Sequence, residues 1–522
     1  MSDQLHQHLA LLQKAPGIAC LAEISHGIEK ESLRVDPNGH LAHTPHPASL
    51  GSALTHATIT TDFSEALMEF ITPVFNDPQD SIGYLSDLHT YTYAQLHREE
   101  LLWTSSMPCV IGKDEEIPLA QYGNSNVGKL KTLYRLGLSH RYGRSMQTIA
   151  GIHYNFSLPD EFWKLYRNVT GSQQSLQEFK NDHYFGLIRN FRRHSWLLLY
   201  LFGASPALCK SFVQSKPGHG LEEFDEYSFY APHATSLRMG DLGYTSKAQA
   251  GLHISYNSLE EYATGLLNAI RIPYEPYSLI KTADGTPAQL NTSVLQIENE
   301  FYSTIRPKRV SHSGIRPVRM LREQGVEYIE ARLLDLNPFL PVGIDEEEIR
   351  FLNGFLLFCL LRESPQSDRG EYREIDANLQ AVVRRGRDPA LRLQQRGQPR
   401  ALREWAQDIL GGVETIAALL DEVNESTVHR AATRSQIAKV QDPELTPSAK
   451  VLRRMREMKT SYFRFAMNPS LANSDYFRAR KLNPAALEAF EKMTTESVTA
   501  QQQIEASDTL DFATYLQGLN QS

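Results

Sequence analysis

Apolar and polar residues alternate along several short stretches of the chain. In HGIEKESLRV (26–35) Glu29 and Glu31 fall on one face with Leu33 and Val35, while Lys30, Ser32 and Arg34 fall on the other. This follows because successive strand side chains point to opposite faces. GIHYNFSL (151–158) puts Ile152, Tyr154 and Phe156 on one face and His153, Asn155 and Ser157 on the other. VLQIENEFYSTIRPKR (294–309) sets Gln296, Glu298 and Glu300 opposite Leu295, Ile297 and Phe301, and VEYIEARLLDLNP (326–338) sets Glu330 and Arg332 opposite Ile329, Ala331 and Leu333. The strands predicted are 27–35, 151–158, 251–256, 293–302 and 326–336. Helical spacing predicts helices over 62–71, 79–101, 176–200 and 258–270, a short one before Pro16, and a mainly helical chain from about 345 onward. In the 62–71 segment Asp62, Glu65 and Glu69 share a helix face, Asp62 and Glu65 reading as a capping pair.

The strands are not linked by regular βαβ units, so a doubly wound parallel sheet is not expected. Strands with one apolar face and one face of Glu, His, Asn or Arg describe an antiparallel sheet packed on helices on one side and lining a polar cavity on the other. Burying two carboxylates without a partner is costly. Either the end of the 26–35 strand is open to water or something positive binds there. Hard oxygen ligands select Mg²⁺ or Mn²⁺, and Mg²⁺ is commonly shared with substrate phosphates, which the neighbouring Arg306, Lys308, Arg309 and Arg332 would hold. From periodicity alone, a Mg-nucleotide phosphoryl-transfer site and ordinary surface charge both remain open.

Composition narrows the class. The 522 residues are 41% hydrophobic and 22% charged, as in an ordinary globular protein. A formal charge of −8 gives no general attraction to nucleic acid or anionic membrane. The apolar runs 196–202 and 351–361 are too short to span a bilayer, and the opening residues carry no basic segment followed by an apolar run, so a cytoplasmic protein is expected. Cys20, Cys109, Cys209 and Cys359 are widely spaced, which predicts reduced thiols rather than a disulfide framework or zinc site. GNSNVGKLK (123–131) nearly matches a phosphate-binding loop, but Leu130 stands where the metal-binding hydroxyl belongs and no strong strand precedes it. It reads instead as a basic loop near the mouth of the site. The arginine-rich 384–403 reads as a solvated helical face with a turn, and the polar tail after about 494 as a segment that frays.

Ten stretches, among them SHGIEKESLRV, GSALTHATITTDFSEALMEFITP, TLYRLGLSHRYG, MQTIAGIHYNFSLP, ATSLRMGDLGYT, VLQIENEFYSTIRPKR and GVEYIEARLLDLNPF, resemble in order the bacterial glutamate–cysteine ligase family, its proteobacterial branch most closely, from about residue 20 to 340. The resemblance implies an α+β, glutamine-synthetase-like fold in which a curved antiparallel sheet forms a funnel-shaped active site with helices packed outside. It implies a single ligase domain over 1–522, with the sheet core at about 20–340. The implied reaction joins L-glutamate and L-cysteine with ATP to give γ-glutamylcysteine, ADP and phosphate, the first step of glutathione biosynthesis. By the same resemblance Glu29, Glu31, Asp62, Glu69, His153 and Glu330 form the metal shell. Arg332 and Arg135 neutralise the transferring phosphoryl group. Arg238, with Glu69, binds glutamate, and Phe63, Tyr134, Tyr244 and Tyr302 bind cysteine. Arg306 and Lys308 join Arg332 on the nucleotide phosphates. Mg²⁺ (or Mn²⁺), ATP, a monomeric state and glutathione as feedback inhibitor complete what the resemblance implies.

Overall fold

The computed structural model describes residues 3–108, 110–213, 218–242, 248–249, 251–282, 285–310 and 316–521. Its strands are β1 (Ser25–Val35), β2 (Ile59–Thr61), β3 (Leu67–Ile71), β4 (Leu101–Leu102), β5 (Ile152–Ser157), β6 (Ala207–Cys209), β7 (Glu222–Glu223), β8 (Ser228–Tyr230), β9 (Ile305–Lys308), β10 (Tyr328–Leu334), β11 (Arg392–Gln395) and β12 (Gln398–Ala401). The main sheet has seven strands in the order β2-β3-β1-β5-β10-β9, with β4 against the end of β1. Every pair in it is antiparallel. A small sheet β6-β8-β7 and a β11-β12 hairpin stand apart.

Alternation in β5 and β10 does what the sequence predicts: Ile152, Tyr154, Phe156, Ile329, Ala331 and Leu333 are all buried. In β1 both faces are buried, with Ile28, Lys30, Ser32 and Arg34 on one side and Glu31, Leu33 and Val35 on the other. Behind the sheet runs the helix Leu176–Phe202, opened by a reciprocal Ser175–Glu178 cap. Beside it the helix Glu346–Leu361 also reaches the sheet, where Asn353 accepts a 2.6 Å hydrogen bond from Tyr154 of β5. The helices Pro78–Gln95, capped by Asp77, and Tyr462–Ala479 also pack on this core. None of the helices among the described residues is long and apolar enough to cross a membrane.

Six expectations about local structure are corrected. Residues 62–71 are not a helix: they form the turn and second strand of the β2-β3 hairpin, and Glu31 pairs with Glu69 across β1 and β3. Edge pairing to β1 outweighs the local helical spacing. Glu65 does not cap Asp62; it accepts from the backbone N–H groups of His46 and Gln121, each at 2.8 Å. Residues 251–256 form no strand, because side chains take their backbone groups: Tyr372 accepts from Tyr256 N at 2.7 Å, and Arg189 donates to Tyr256 O at 3.0 Å. In 293–302 the Glu300 carboxylate accepts from Gln296 N at 2.6 Å, folding the segment into a 3₁₀ turn at Glu298–Glu300, so the strand begins only at Ile305. The arginine-rich 384–403 contains the β11-β12 hairpin, turned at Arg396 and Gly397 with φ of 53° and 74°. The tail after 494 is ordered as the helices Pro484–Ser507 and Phe512–Gln521.

Cys209 is disulfide-bonded, against the expectation of reduced thiols, while Cys20 and Cys359 are free; Cys109 lies outside the described residues.

Candidate active site

The polar face of the main sheet lines a cavity of about 1140 Å³. The strand register builds its floor. Glu29 stands opposite His153, Glu31 opposite Glu69, and Glu330 opposite both Asn155 and Arg306. His153 Nδ1 lies 3.1 Å from Glu29 Oε2 and 3.8 Å from Glu330 Oε1, and its Nε2 lies 3.9 Å from Glu31 Oε1. Asn155 donates to Glu29 Oε1 at 2.8 Å, and Gly151 N donates to Glu31 Oε2 at 2.7 Å. Ligand atoms of Glu29, Glu69 and His153 lie within 4.8 Å of one another.

The charges of this floor are unequal. Burial alone would raise Glu330, but Arg332 at 2.9 Å, Lys308 at 3.4 Å and His153 outweigh it and hold the carboxyl well below the usual range. Glu29 is lowered too: burial and Glu330 push it up, and the bond to His153 and the charge of Lys308 prevail. Glu31 is raised, by burial first, with Asp62 adding to it. Glu69 is raised well above the usual range by burial, Asp62, Glu29 and Glu31, against Arg135. Glu330 Oε2 is buried with no hydrogen-bond partner. Such a donor set fits a hard divalent cation: carboxylate oxygens and one imidazole converge on a buried floor, where Glu31 and Glu69 crowd one another.

The sequence-predicted residues Glu29, Glu31, Asp62, Phe63, Glu69, Tyr134, Arg135, His153, Arg238, Tyr302, Arg306, Lys308, Glu330 and Arg332 all line this cavity. Tyr244 lies outside the described residues. Tyr134 and Arg135 come from the helix Asn126–Tyr142, where the Arg135 guanidinium donates to Asp62 O and lies 4.6 Å from the Tyr122 ring. Phe63, 1% exposed, serves both core and cavity wall. Arg238, also 1% exposed, sits 3.9 Å from Asp335, whose carboxylate accepts from Ala204 N and the Ser205 and Ser236 hydroxyls at 2.7–2.8 Å. A Cβ on Gly151 would lie 1.9 Å from Arg238 Nη2, so any larger residue there would displace the guanidinium. Arg306 donates to Asn299 O and Phe301 O at 2.8 and 2.7 Å, tying the strand to the turn before it. Glu300 also reaches the lining and Glu298 does not, so the two do not present a shared strand face. Glu300 accepts from Arg141 and Tyr142, and Glu298 lies 3.8 Å from Arg316.

Sequence reasoning missed several lining residues. Lys131 is helical, not part of a basic loop, and burial with the neighbouring Arg135 brings its ammonium down to about 8. Gln147 donates to the Tyr302 hydroxyl at 3.0 Å. Arg192 lies 4.8 and 4.4 Å from the Tyr256 and Tyr372 rings, a stacking that forms only when segments 180 residues apart meet. No local pattern marked Gln147 or Arg192, whereas Lys131 falls, as read, near the mouth of the site.

The glutamate–cysteine ligase family model matches residues 9–382, and the chain belongs to that family. It is 50% identical over 513 residues to a glutamate–cysteine ligase of Pseudomonas entomophila, covering 98% of this chain and 96% of that one. It is 51% identical over 517 residues to one of Pseudomonas paraeruginosa, covering 99% and 98%. Among solved structures, a glutamate–cysteine ligase of Francisella tularensis in complex with AMP superposes with TM-score 0.90 at 36% identity, covering 96% of this chain and 98% of that one. A bifunctional glutathione synthetase of Pasteurella multocida follows with TM-score 0.74 at 26% identity, covering 94% and 58%.

Proposed function

We propose that this cavity ligates the γ-carboxylate of L-glutamate to the amine of L-cysteine at the expense of ATP, giving γ-glutamylcysteine, ADP and phosphate, the first step of glutathione biosynthesis. The observation that carries the reading is the convergence of four buried or half-buried glutamates and His153 beside Arg332, Lys308 and Arg135 in one cavity of a chain of this family. A free carboxylate is a poor acyl donor. Transfer of the γ-phosphoryl group of ATP to a glutamate γ-oxygen makes an acyl phosphate and releases ADP. The cysteine amine then forms the C–N bond and phosphate leaves.

Glu29, Glu31, Asp62, Glu69, His153 and Glu330 would hold Mg²⁺ (or Mn²⁺), which when bound neutralises the clustered carboxylates and the phosphate oxygens of ATP. Arg332 and Arg135 face the transferring phosphoryl group, and Lys308 and Arg306 the nucleotide phosphates. Positioning and charge neutralisation are most of what phosphoryl transfer needs. Arg238, steadied by Asp335, offers a planar fork to the α-carboxylate of glutamate. Phe63, Tyr134, Tyr244 and Tyr302 favour a CH₂SH group over a hydroxyl, though size and polarity alone discriminate only modestly. The sheet acts as a glutamine-synthetase-like funnel. The chain works as one domain, since its hydrophobic core runs from Leu5 to Phe490 without a break in packing. A monomer, acting in the cytoplasm and inhibited by glutathione, completes the proposal.

The test is ADP release by the purified protein with ATP, Mg²⁺ and glutamate, adding cysteine, serine, ammonia or no amine in parallel. Preferential ADP release with cysteine, and γ-glutamylcysteine by mass, supports the reading. Release with another amine alone would reassign the aromatic pocket, and no release would overturn the reading.

A further inference from the structure

The near-match GNSNVGKLK and the polar tail play no part in the chemistry above, yet the fold brings them together. The helix Asn126–Tyr142 is capped by Ser125, whose hydroxyl accepts from Gly128 N at 3.1 Å. The tail takes the donors next to that cap. Glu505 accepts from Asn124 N at 2.8 Å, Asp508 from Asn126 N at 2.6 Å, and Leu510 O from Asn126 Nδ2 at 2.9 Å. A helix N-terminus combines orphan N–H groups with a partial positive charge, so both carboxylates are well placed. In a phosphate-binding loop those donors would face a nucleotide; in this chain its own tail occupies them. Contact is close: a Cβ on Gly123 would lie 2.0 Å from Gln501 Nε2.

Beyond Asp508 the helix Phe512–Gln521 lies along the flank of the same helix. Leu516, 8% exposed, packs with Leu133 and Leu290. Leu519 O accepts from Arg316 Nη2 at 3.1 Å, and Arg316 Nη1 lies 3.8 Å from Glu298. The tail thus touches two walls of the cavity at once: the helix carrying Lys131, Tyr134 and Arg135, and the segment 290–302 that ends in Tyr302. Tyr134 and Ile297 pack against the same small apolar cluster and line the cavity themselves.

We propose that residues 505–519 are a clasp that fixes the separation of these two walls, and that Asp508 and Leu516 are positioning residues for the cysteine side of the site. The proposal rests on the assignment of Tyr134 and Tyr302 to cysteine. Neither Asp508 nor Leu516 lines the cavity; they act through the helix they hold.

The test uses full-length Asp508→Ala and Leu516→Ala, with hydrogen exchange over residues 126–136 measured beside steady-state kinetics and Tm. Exchange is expected to quicken about tenfold. The KM for cysteine should rise roughly five- to tenfold, with the KM for ATP within about twofold. Asp508→Asn, which keeps an acceptor, should recover part of the cysteine KM. Unchanged exchange in both alanine variants would overturn the clasp. So would faster exchange with an unchanged cysteine KM, or loss of all kinetic constants in step with Tm, which marks a merely structural role. A wild-type chain that does not use cysteine would sink the functional reading instead, and exchange alone would then judge whether the tail fixes the helix.

Discussion

Lys30 and Arg34 leave β1 on one side, Glu29 and Glu31 on the other, and the strand treats the two sides differently. Arg34 is fully buried, and its Nη atoms donate to Thr44 Oγ1, Glu100, Thr44 O and Glu65 O at 2.7–3.0 Å. Lys30 lies 2.5 Å from the Ser32 hydroxyl and 2.9 Å from His89 Nε2. On that face each charged head meets polar groups of the protein itself, Arg34 Nε alone going without one. On the cavity face the glutamates confront one another, and Glu31 and Glu69 hold their protons more tightly than usual. A cluster that served only stability would not be arranged so. The difference separates buried charge that maintains the fold from buried charge that awaits a ligand.

Breaking the cavity face should cost the most activity. Glu69→Gln and Glu330→Gln are each expected to lower kcat roughly 10²–10⁴-fold, the several kcal/mol of charge stabilisation a metal supplies. Their metal-free Tm should diverge: at or above wild type for Glu69→Gln, whose carboxylate burial and its acidic neighbours disfavour, and below it for Glu330→Gln, which leaves Arg332 and Lys308 without their partner; circular dichroism melts beside initial rates check this. Near-wild-type turnover in both would end the metal-shell assignment.

Breaking the opposite face should do the reverse. Arg34→Met leaves Glu100 buried and unpaired and is expected to cost about 3–5 kcal/mol of stability by urea unfolding. The kcat of the folded fraction should be little changed. Loss of turnover without loss of stability would contradict the division between faces.

Arg238→Lys sharpens the comparison within the cavity. It retains charge near Asp335 but loses the fork, so the KM for glutamate is expected to rise about tenfold or more while that for ATP moves little. An equal rise in both would place Arg238 on the nucleotide.

Lys30 gives the smallest effect. Burial pushes its ammonium down to about 7 from lysine's ordinary 10.5. Between those values the unfolded chain keeps a proton that the folded chain has released, so this group's contribution to stability rises as pH increases from 7 towards 10.5. Lys30→Met should flatten that slope, by at most about 1.4 kcal/mol per pH unit, in urea unfolding followed across pH. An unchanged slope would mean Lys30 keeps its proton when buried.

Much of the polar face was legible because alternation is local. Glu29, Glu31, His153 and Glu330 each announced their side of a strand within a few residues. Glu69 was legible as a suspect carboxylate, but its element was misread: Asp62, Glu65 and Glu69 fit helical spacing, and only pairing with Glu31, far away in sequence, makes the segment a hairpin. In 251–256 and 293–302 the alternation was real, yet Tyr372 and Glu300 claimed the backbone groups a ladder would use. The tail looked fit to fray because its partners, Asn124 and Asn126, lie at the other end of the chain.

The central claim is that the cavity face of β1, with β3, β5 and β10, holds a divalent cation. Electron paramagnetic resonance of Mn²⁺ titrated into wild type, Glu330→Gln and Arg34→Met tests it most directly. The account predicts that wild type and Arg34→Met deplete the free Mn²⁺ signal and that Glu330→Gln does so far less. Equal depletion by all three, or none by wild type even with ATP and glutamate present, would contradict it.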